Sequence, residues 1–427
     1  MAADGATAPT LNARQAAFIG VGAMVGAGIF SLLGAAGEVA GSAVWISFVI
    51  AGGVAMLQGY SFMKMGTRYP SAGGLLEYVV QGFGNGHAAG IVAWLVLATN
   101  AIVTGMVAVS FGSYASGAFT ESGTAGVKLF AVAVIVVMML LNVMGSQAVA
   151  RAQTVVVYVV LTILTVFAVS TIANLDPHLL AFSGYPPVRD IVARVALTFF
   201  AFLGFGVITF TAKDLREPRR QLPIAMFSAL GIATVIYIAV AIGVFGTLTV
   251  HEVIASGGTA LAVAAEPTLG RAGYWMMSIT GLFATAGCTN AGLYPAAGLC
   301  EHMASIGQFP PQMGRNVGGR VPAGLVITAV MSIVLAVFFD LSAIASIGSA
   351  VALIVFTLVS IGHLRVRRET GAKAWLLVAA IASTSVVLLA FAFTTLVDEP
   401  GTAVALAVIV ALGIVADVVW KGRQSTT

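Results

Sequence analysis

Twelve apolar stretches, most of them about 20 residues long, constrain this chain more than any other feature of its sequence. A membrane-spanning helix needs about 20 apolar residues, whereas a barrel strand needs about ten that alternate in polarity. Only 8% of the 427 residues are charged, compared with about 25% in soluble domains. We therefore predict an all-α integral membrane protein. Its predicted spans cover roughly residues 13–36, 42–64, 88–113, 128–146, 153–174, 191–212, 223–246, 272–303, 322–339, 341–363, 374–394 and 402–420.

The basic residues divide unequally between the two sides of the membrane that this succession of spans defines. One side receives only Lys128, Arg189, Arg194 and Arg271, so the other receives the remaining sixteen of the 20 Lys and Arg residues. Cytoplasmic loops are enriched in Lys and Arg. We therefore predict a multi-pass protein of the cytoplasmic (plasma) membrane, with cytoplasmic tails at residues 1–12 and 421–427. The first apolar stretch is too long for a cleavable signal sequence and lacks a cleavage pattern.

Two spans are interrupted by glycine at corresponding positions of the chain. Residues 20–30 read GVGAMVGAGIF and residues 198–210 read TFFAFLGFGVITF. These spans open two sets of five, which must have opposite topology because five is an odd number. Paired interruptions of this kind are the best sequence indication of a transporter binding site. The alternative is close helix packing through small residues, since Gly22 and Gly26 form a GxxxG pattern.

The two sets of five spans predict the domain organisation. Residues 13–174 would form a first inverted repeat and residues 191–363 a second, followed by two extra spans within 374–420. A break in each first span would free amide N–H groups, which favour an anion, and carbonyl groups, which can hold an ammonium group. Two broken helices side by side can therefore bind the carboxylate and the amine carried by one α-carbon.

Four motifs resemble those of the amino acid–polyamine–organocation superfamily of transporters. The first is GVGAMVGAGIF, which is similar to the first-helix motif. The others are RYPSAGGLLEYV at 68–79, FFAFLGFGVITFTAKDLREPRRQLP at 199–223 and SIGQFPP at 305–311. The resemblance covers roughly residues 11–370. It implies a 5+5 inverted-repeat fold with broken helices 1 and 6, alternating access, and an amino acid or related amine as the substrate.

The resemblance also implies a substrate site that is built mainly from backbone groups. The N–H groups expected to bind a carboxylate belong to Val25, Gly26, Ala27, Gly28 and Ile29. The carbonyl groups expected to bind an amine belong to Phe200, Ala201, Leu203 and Gly204. Phe200 matches an aromatic gate position, with ordinary packing as the alternative. Asn100 stands where family members contact the substrate side chain, although a lone Asn also serves to join helices.

The resemblance does not define which ion, if any, is coupled to transport. Some proton-coupled members carry a lysine in helix 5, which would fall at about Val160, and no Lys or Arg occurs between Gln153 and Ile172. Proton coupling through that lysine is therefore not expected. Thr285 and Thr289 are candidate sodium ligands, but a threonine in a span usually bonds its own helix backbone. Uncoupled exchange and facilitated uptake stay open, and we predict no cofactor and no metal site.

We predict a secondary transporter of neutral amino acids, because no acidic residue is evident at mid-membrane depth. Gly206 also stands where several relatives with cationic substrates have an acid. An amine, polyamine or cationic amino acid exchanger is the alternative, and a channel is less favoured because no polar rings are evident. An enzyme is not expected, since no nucleophile, base or metal cluster converges; Cys288 and Cys300 are interpreted as buried small residues. The expected partners are the substrate and the lipid bilayer, not nucleic acid.

Two interpretations concern the cytoplasmic ends of the spans. Lys64 stands where the family commonly has an acid, and Glu77 follows the Gly–Gly pair, so these two are predicted to form a swapped ion pair. The adjacent Glu301 and His302 could relay protons, because histidine titrates near neutral pH. The favoured interpretation is that they are solvated residues at the end of the eighth span, because neighbours on a helix point about 100° apart.

Overall fold

The computed structural model describes residues 11–424, apart from residues 72, 120–122, 145, 395–396 and 398–399. Each predicted span coincides with one helix or with a succession of shorter helices. The helices are α1 (Ala13–Ala27), α2 (Ile29–Ala40), α3 (Val44–Arg68), α4 (Leu75–Phe83), α5 (His87–Phe119), α6 (Gly123–Met144), α7 (Ser146–Ala173), α8 (Val188–Ala193), α9 (Val195–Phe200), α10 (Val207–Phe210), α11 (Pro218–Phe245), α12 (Val250–Ser256), α13 (Ala260–Ser305), α14 (Ala323–Phe338), α15 (Leu341–Thr370), α16 (Ala374–Phe393) and α17 (Pro400–Gln424). Two short strands, Asn316–Val317 and Val321–Pro322, pair antiparallel between α13 and α14.

The described helices confirm an all-α membrane protein. Eight are long and apolar enough to cross a bilayer, and two bent pairs raise the number to ten. The bend is 42° between Ala13–Gly26 and Ile29–Glu38, and 43° between Asp190–Phe200 and Leu203–Phe210. The other two predicted spans lie in α14 and in α13, whose backbone breaks at Gly270 with φ +66°. This break separates the start of α13 from the predicted eighth span.

The interior of the bundle is built around α5, α13 and α15. Helix α5 packs against α6, α13, α14 and α15, and α1 packs against α11 and α13. In the most apolar window of each helix, 67% of residues are buried in α5 and 78% in α15, but only 17% in α6 and in α17. The helices with interrupted spans therefore lie inside the bundle, and α6 and α17 lie at its lipid-facing edge.

The start of the first span is held in place by hydrogen bonds. The Asn12 side chain accepts from the Gln15 N–H at 2.9 Å, and the Gln15 side chain accepts from the Asn12 N–H at 3.0 Å. This reciprocal cap satisfies amide groups that a helix start otherwise leaves unpaired. The Leu11 N–H donates to the Asp214 carbonyl at 3.0 Å. The beginning of α1 is thereby joined to the loop that follows the sixth span.

Candidate functional site

Both predicted interruptions are present, and they differ in geometry. At the first, the Gly28 N–H donates to the Met24 carbonyl at 2.9 Å, and the Gly28 carbonyl accepts from the Leu32 N–H at 3.2 Å. Helical bonding therefore continues through a bend. At the second, α9 ends at Phe200 and a tighter 3₁₀ turn follows at Leu203–Gly206. The sixth span is thus more strongly disrupted than the first.

Glycines at the two interruptions let the broken helices touch. A Cβ atom built on Gly204 would lie 2.5 Å from the Met24 amide nitrogen. One built on Gly28 would lie 2.5 Å from the Ala201 Cβ and 2.7 Å from the Tyr237 hydroxyl. Real side chains do not approach this closely, because such distances lie well inside van der Waals contact. The two breaks therefore pack backbone against backbone.

The glycine run of the first span combines the two interpretations that its sequence permits. Gly26 faces α13, where an added Cβ would lie 2.5 Å from the Cys288 Cβ and would also collide with the Ala284 carbonyl. Gly28 lies at the bend between α1 and α2. Close packing and helix interruption are therefore divided between different glycines of one motif.

Some backbone groups at the breaks already have partners in the protein. The Tyr237 hydroxyl donates to the Ala201 carbonyl at 3.0 Å, and the Cys288 thiol donates to the Ala23 carbonyl at 3.1 Å. Buried carbonyl groups without a partner are costly, so these contacts stabilise the interruptions without a ligand. Of the carbonyls predicted to bind an amine, that of Ala201 is therefore occupied by Tyr237.

The larger cavity lies between α5, the sixth-span break, α13 and α15, and has a volume of about 650 Å³ including the part open to solvent. Of the predicted site residues, Asn100, Leu203 and Gly204 line it. We call this space the main cavity. Cys288 and Ala23 lie on its wall where the two broken spans meet α13.

The other predicted site residues lie around the main cavity rather than on its wall. Ile29, Phe200 and Ala201 are fully buried in the interior. Ala27 is the last residue of α1, and Gly28 follows it at the bend. The structure therefore brings Asn100 together with the sixth-span break, whereas the residues of the first span whose amides are predicted to bind the carboxylate do not line the main cavity.

Asn100 presents an unpaired amide beside the cavity. Among the described residues, its Nδ2 atom is buried and has no hydrogen-bond partner. Its backbone carbonyl accepts from the Thr104 hydroxyl at 2.8 Å. Leaving a buried donor unsatisfied costs about 1–3 kcal/mol. A ligand that offers an oxygen acceptor in the main cavity would remove this cost.

Phe200 fills the gap between α15 and α5. A Cβ atom built on Gly348 of α15 would collide with the Phe200 ring and would lie 2.7 Å from the Ile102 side chain. Ile102 follows Asn100 by two residues on α5, and the Phe200 side chain is fully buried. The ring therefore packs as a core residue between α15 and α5, and its role as a gate stays a prediction.

A second cavity of about 290 Å³ lies between α1, α7 and α13. Its wall includes Val25 and Gly26 of the first span, Val160 of α7, and Ala284 and Gly287 of α13. Val160 therefore faces the first interruption, where the resemblance places a lysine in proton-coupled members. No side chain described on this wall carries an ionisable group, so the wall offers no residue that could bind and release a proton.

The candidate sodium ligands have their hydroxyl protons bound within their own helix. The Thr285 hydroxyl donates to the Gly281 carbonyl at 2.6 Å, and the Thr289 hydroxyl donates to the Thr285 carbonyl at 2.9 Å. Both side chains are fully buried, and neither contributes to the wall of the main cavity or of the second cavity. Their arrangement is the usual one for threonine in a membrane span.

Glu77 and His302 form a contact that the sequence interpretation missed. The Glu77 carboxylate lies 3.2 Å from the His302 Nε2 atom and accepts from the Gln81 amide at 2.7 Å. The hydrogen bond from His302 is the main cause that holds the pKa of Glu77 below its usual value. The partner that the structure shows for Glu77 is thus His302 rather than Lys64. His302 is also not a freely solvated residue, because only 22% of its side chain is exposed.

Comparison with known proteins gives the family. The model of a family described as "Amino acid permease" matches residues 11–416. The chain belongs to this family. It is similar to the inner membrane transport protein YbaT of Escherichia coli (strain K12), with 32% identity over 83% of each chain. This amino acid permease is therefore a multi-pass membrane transporter and not an enzyme.

Two further relatives have more specific names. The methylthioribose transporter of Bacillus subtilis (strain 168) is 27% identical over 56% of each chain. The cationic amino acid transporter 2, vacuolar, of Arabidopsis thaliana is 29% identical over 82% of this chain and 58% of its own length. The substrates in these two names differ. Family membership therefore does not define the substrate of this permease, which depends on the residues of its own cavity.

Proposed function

We propose that this permease carries neutral amino acids across the cytoplasmic membrane by alternating access. The observation that carries the proposal is the composition of the main cavity. Its described wall is apolar except for Thr99, Asn100 and the thiol of Cys288, and it includes no acidic or basic side chain. A neutral side chain fits such a wall, whereas a buried charge without a partner is strongly unfavourable.

The backbone of the broken spans would recognise the groups that amino acids share. In this proposal the N–H groups around Gly28 and Ile29, at the start of α2, attract the carboxylate through the helix dipole once the Gly28 N–H releases the Met24 carbonyl. The carbonyls of Phe200, Leu203 and Gly204 accept hydrogen bonds from the amine. The Ala201 carbonyl joins them when Tyr237 releases it, and Asn100 contacts the substrate side chain.

Residues 13–174 and 191–363 are proposed to form the two inverted repeats, with both chain termini in the cytoplasm. The distribution of basic residues supports this orientation. Substrate would then enter past Phe200 from the outer side and leave at the opposite end. Because the second cavity presents Val160 rather than a lysine, we propose that its wall does not bind a transported proton.

A cationic amino acid is the second candidate, because the Arabidopsis relative is named for such substrates. The two candidates differ in the charge that the main cavity must accept. Uptake into proteoliposomes separates them, with a panel of neutral, cationic and acidic amino acids and with proton and sodium gradients varied in turn. We expect saturable uptake of neutral amino acids. Uptake restricted to lysine, arginine or ornithine would overturn the proposal.

A further inference from the structure

The short helix α4, between the second and third spans, covers one end of the main cavity. Leu75, its first residue, is 5% exposed and lines the cavity together with Phe210 of the sixth span. We call residues 73–83 the α4 lid. Any substrate that leaves the cavity at this end must pass the lid or displace it.

Two contacts of the α4 lid are apolar or steric. A Cβ atom on Gly73 would lie 2.5 Å from the His302 ring, and one on Gly74 would lie 2.7 Å from the Phe210 ring. Gly74 has φ +49°, a conformation that favours glycine and turns the chain into α4. These contacts do not change with pH. The third contact, between Glu77 and His302, lies directly beside this turn.

We propose that the Glu77–His302 pair is a latch on the α4 lid, through which the pH at this face of the membrane regulates transport. The inference rests on the proposed function, since it concerns exit from the same cavity. Histidine is the side chain whose charge changes between about pH 5 and 8. A hydrogen bond to a carboxylate is strong whichever form the imidazole has, and a protonated imidazole adds the attraction of an ion pair.

The surroundings of the pair favour His302 as the group that responds to pH. The Glu77 and His302 side chains are 18% and 22% exposed, so protons can reach them. The hydrogen bond from His302 keeps the pKa of Glu77 below its usual value, and Glu77 therefore stays ionised near neutral pH. Gln81, which also donates to Glu77, is neutral at every pH.

Few other charged groups border the latch in the described part of the chain. Glu301 is exposed on the same helix end, and Arg315 is exposed in the loop that packs against α13. Tyr78, next to Glu77, is fully buried. At the far end of the lid, the Arg365 guanidinium lies 4.6 Å from the centre of the Phe83 ring. Among the described residues, His302 is the histidine within hydrogen-bond distance of Glu77.

The sign of the effect follows from these charges. At pH 6 a protonated His302 holds Glu77 and the lid stays closed for longer. At pH 8 the neutral imidazole holds it less strongly, and exchange between the cavity and the solution becomes faster. Because Glu77 is ionised at both pH values, protonation of His302 adds the attraction of a partly exposed ion pair, and we expect a change of up to about fivefold in the opening of the lid.

Labelling of Cys288 tests the latch without any knowledge of the substrate. Cys288 lies on the cavity wall and is 2% exposed, so a thiol reagent reaches it only when the cavity opens. The experiment compares the full chain with Glu77→Gln, both carrying Cys300→Ala, using a maleimide at pH 6 and pH 8. The ratio of the two labelling rates cancels the intrinsic pH dependence of the thiol.

We expect the ratio of the Glu77→Gln rate to the parent rate to be larger at pH 6 than at pH 8, by up to about fivefold. Glu301→Gln, which removes an exposed carboxylate from the residue next to His302, should leave the ratio close to one at both pH values. A ratio for Glu77→Gln that is equal at pH 6 and pH 8 would overturn the latch.

Uptake measurements separate this inference from the proposed function. In oriented vesicles, the rate of amino acid exit should fall at pH 6 on the α4 side, and Glu77→Gln or His302→Gln should remove that dependence. If no amino acid is transported, the proposed function fails while the labelling result still decides the latch. If transport is normal and the Glu77→Gln profile matches the parent profile, the latch fails alone.

Discussion

Replacing Gly204 by alanine should separate the two broken spans and reduce uptake. The new Cβ atom would lie 2.5 Å from the Met24 nitrogen and 2.6 Å from the Ala23 carbonyl oxygen. Both neighbours are backbone atoms of α1, so neither can move away by rotating a side chain. The added atom can be accommodated only if α1 and the sixth span move apart by several tenths of an ångström.

The size of the effect follows from the cost of overpacking. Forcing an extra carbon into a well-packed interior costs about 1–3 kcal/mol. If that cost falls on the conformation that binds substrate, affinity falls by roughly fivefold to more than a hundredfold, since about 1.4 kcal/mol corresponds to a factor of ten. The measurement is substrate affinity and uptake rate in proteoliposomes, with the melting temperature of the detergent-purified protein recorded in parallel.

Gly206 provides a matched control two residues away. It lies in the same 3₁₀ turn and also lines the main cavity, but an added Cβ atom has no heavy atom within 4 Å. Gly206→Ala should therefore leave the packing of the two breaks intact and keep most of the uptake. Equal uptake by Gly204→Ala and the parent would refute the role assigned to backbone contact between the broken spans.

Four further results are expected. Gly26→Leu should abolish uptake while membrane expression persists. Gly287→Ala, whose added Cβ atom meets open space on the same cavity wall, should keep uptake. Normal uptake by Gly26→Leu would contradict the packing argument. Asn100→Ala should raise KM by about tenfold for substrates with a polar side chain, as the loss of one hydrogen bond implies; an unchanged KM would remove Asn100 from the site. A bound neutral amino acid at a hundred times its Kd should stabilise the fold by about 2.7 kcal/mol, and a full panel without a melting shift would count against the cavity as a substrate site. The stability contributed by the lowered pKa of Glu77 is present near neutral pH and lost as the pH falls through that pKa; melting curves of Glu77→Gln should therefore show a weaker acid dependence than the parent, and identical curves would contradict it.

The spans and their interruptions were predictable because both depend on local sequence. An apolar stretch of about 20 residues suits a spanning helix wherever it lies, and Gly-rich runs weaken a helix by themselves. The sequence could not predict that Gly26 packs closely against α13 while Gly28 lies at the bend. This difference depends on α13 and the sixth span, which approach these glycines from distant parts of the chain.

The hydrogen-bond partners of the two interruptions were also not predictable from the sequence. Nothing around Ala201 in the sequence indicates that the Tyr237 hydroxyl reaches its carbonyl, because the two residues meet only when α11 packs beside the sixth span. The Lys64–Glu77 pair was inferred from family positions along the chain. The turn at Gly73 and Gly74 instead leads into α4, which packs against α15 and α5, and this tertiary placement makes His302 the partner of Glu77.

The internal hydrogen bonds at the breaks have a consequence for the kinetics of the empty permease. The Tyr237 hydroxyl donates to the Ala201 carbonyl, and the Cys288 thiol donates to the Ala23 carbonyl. The protein without substrate therefore has fewer interior backbone groups that lack a hydrogen-bond partner. Conformational change of the empty form then meets a smaller polar penalty. In the proposed alternating-access cycle, we therefore expect that the empty carrier can return without cargo, and that net movement down a concentration gradient does not require a substrate on the opposite side.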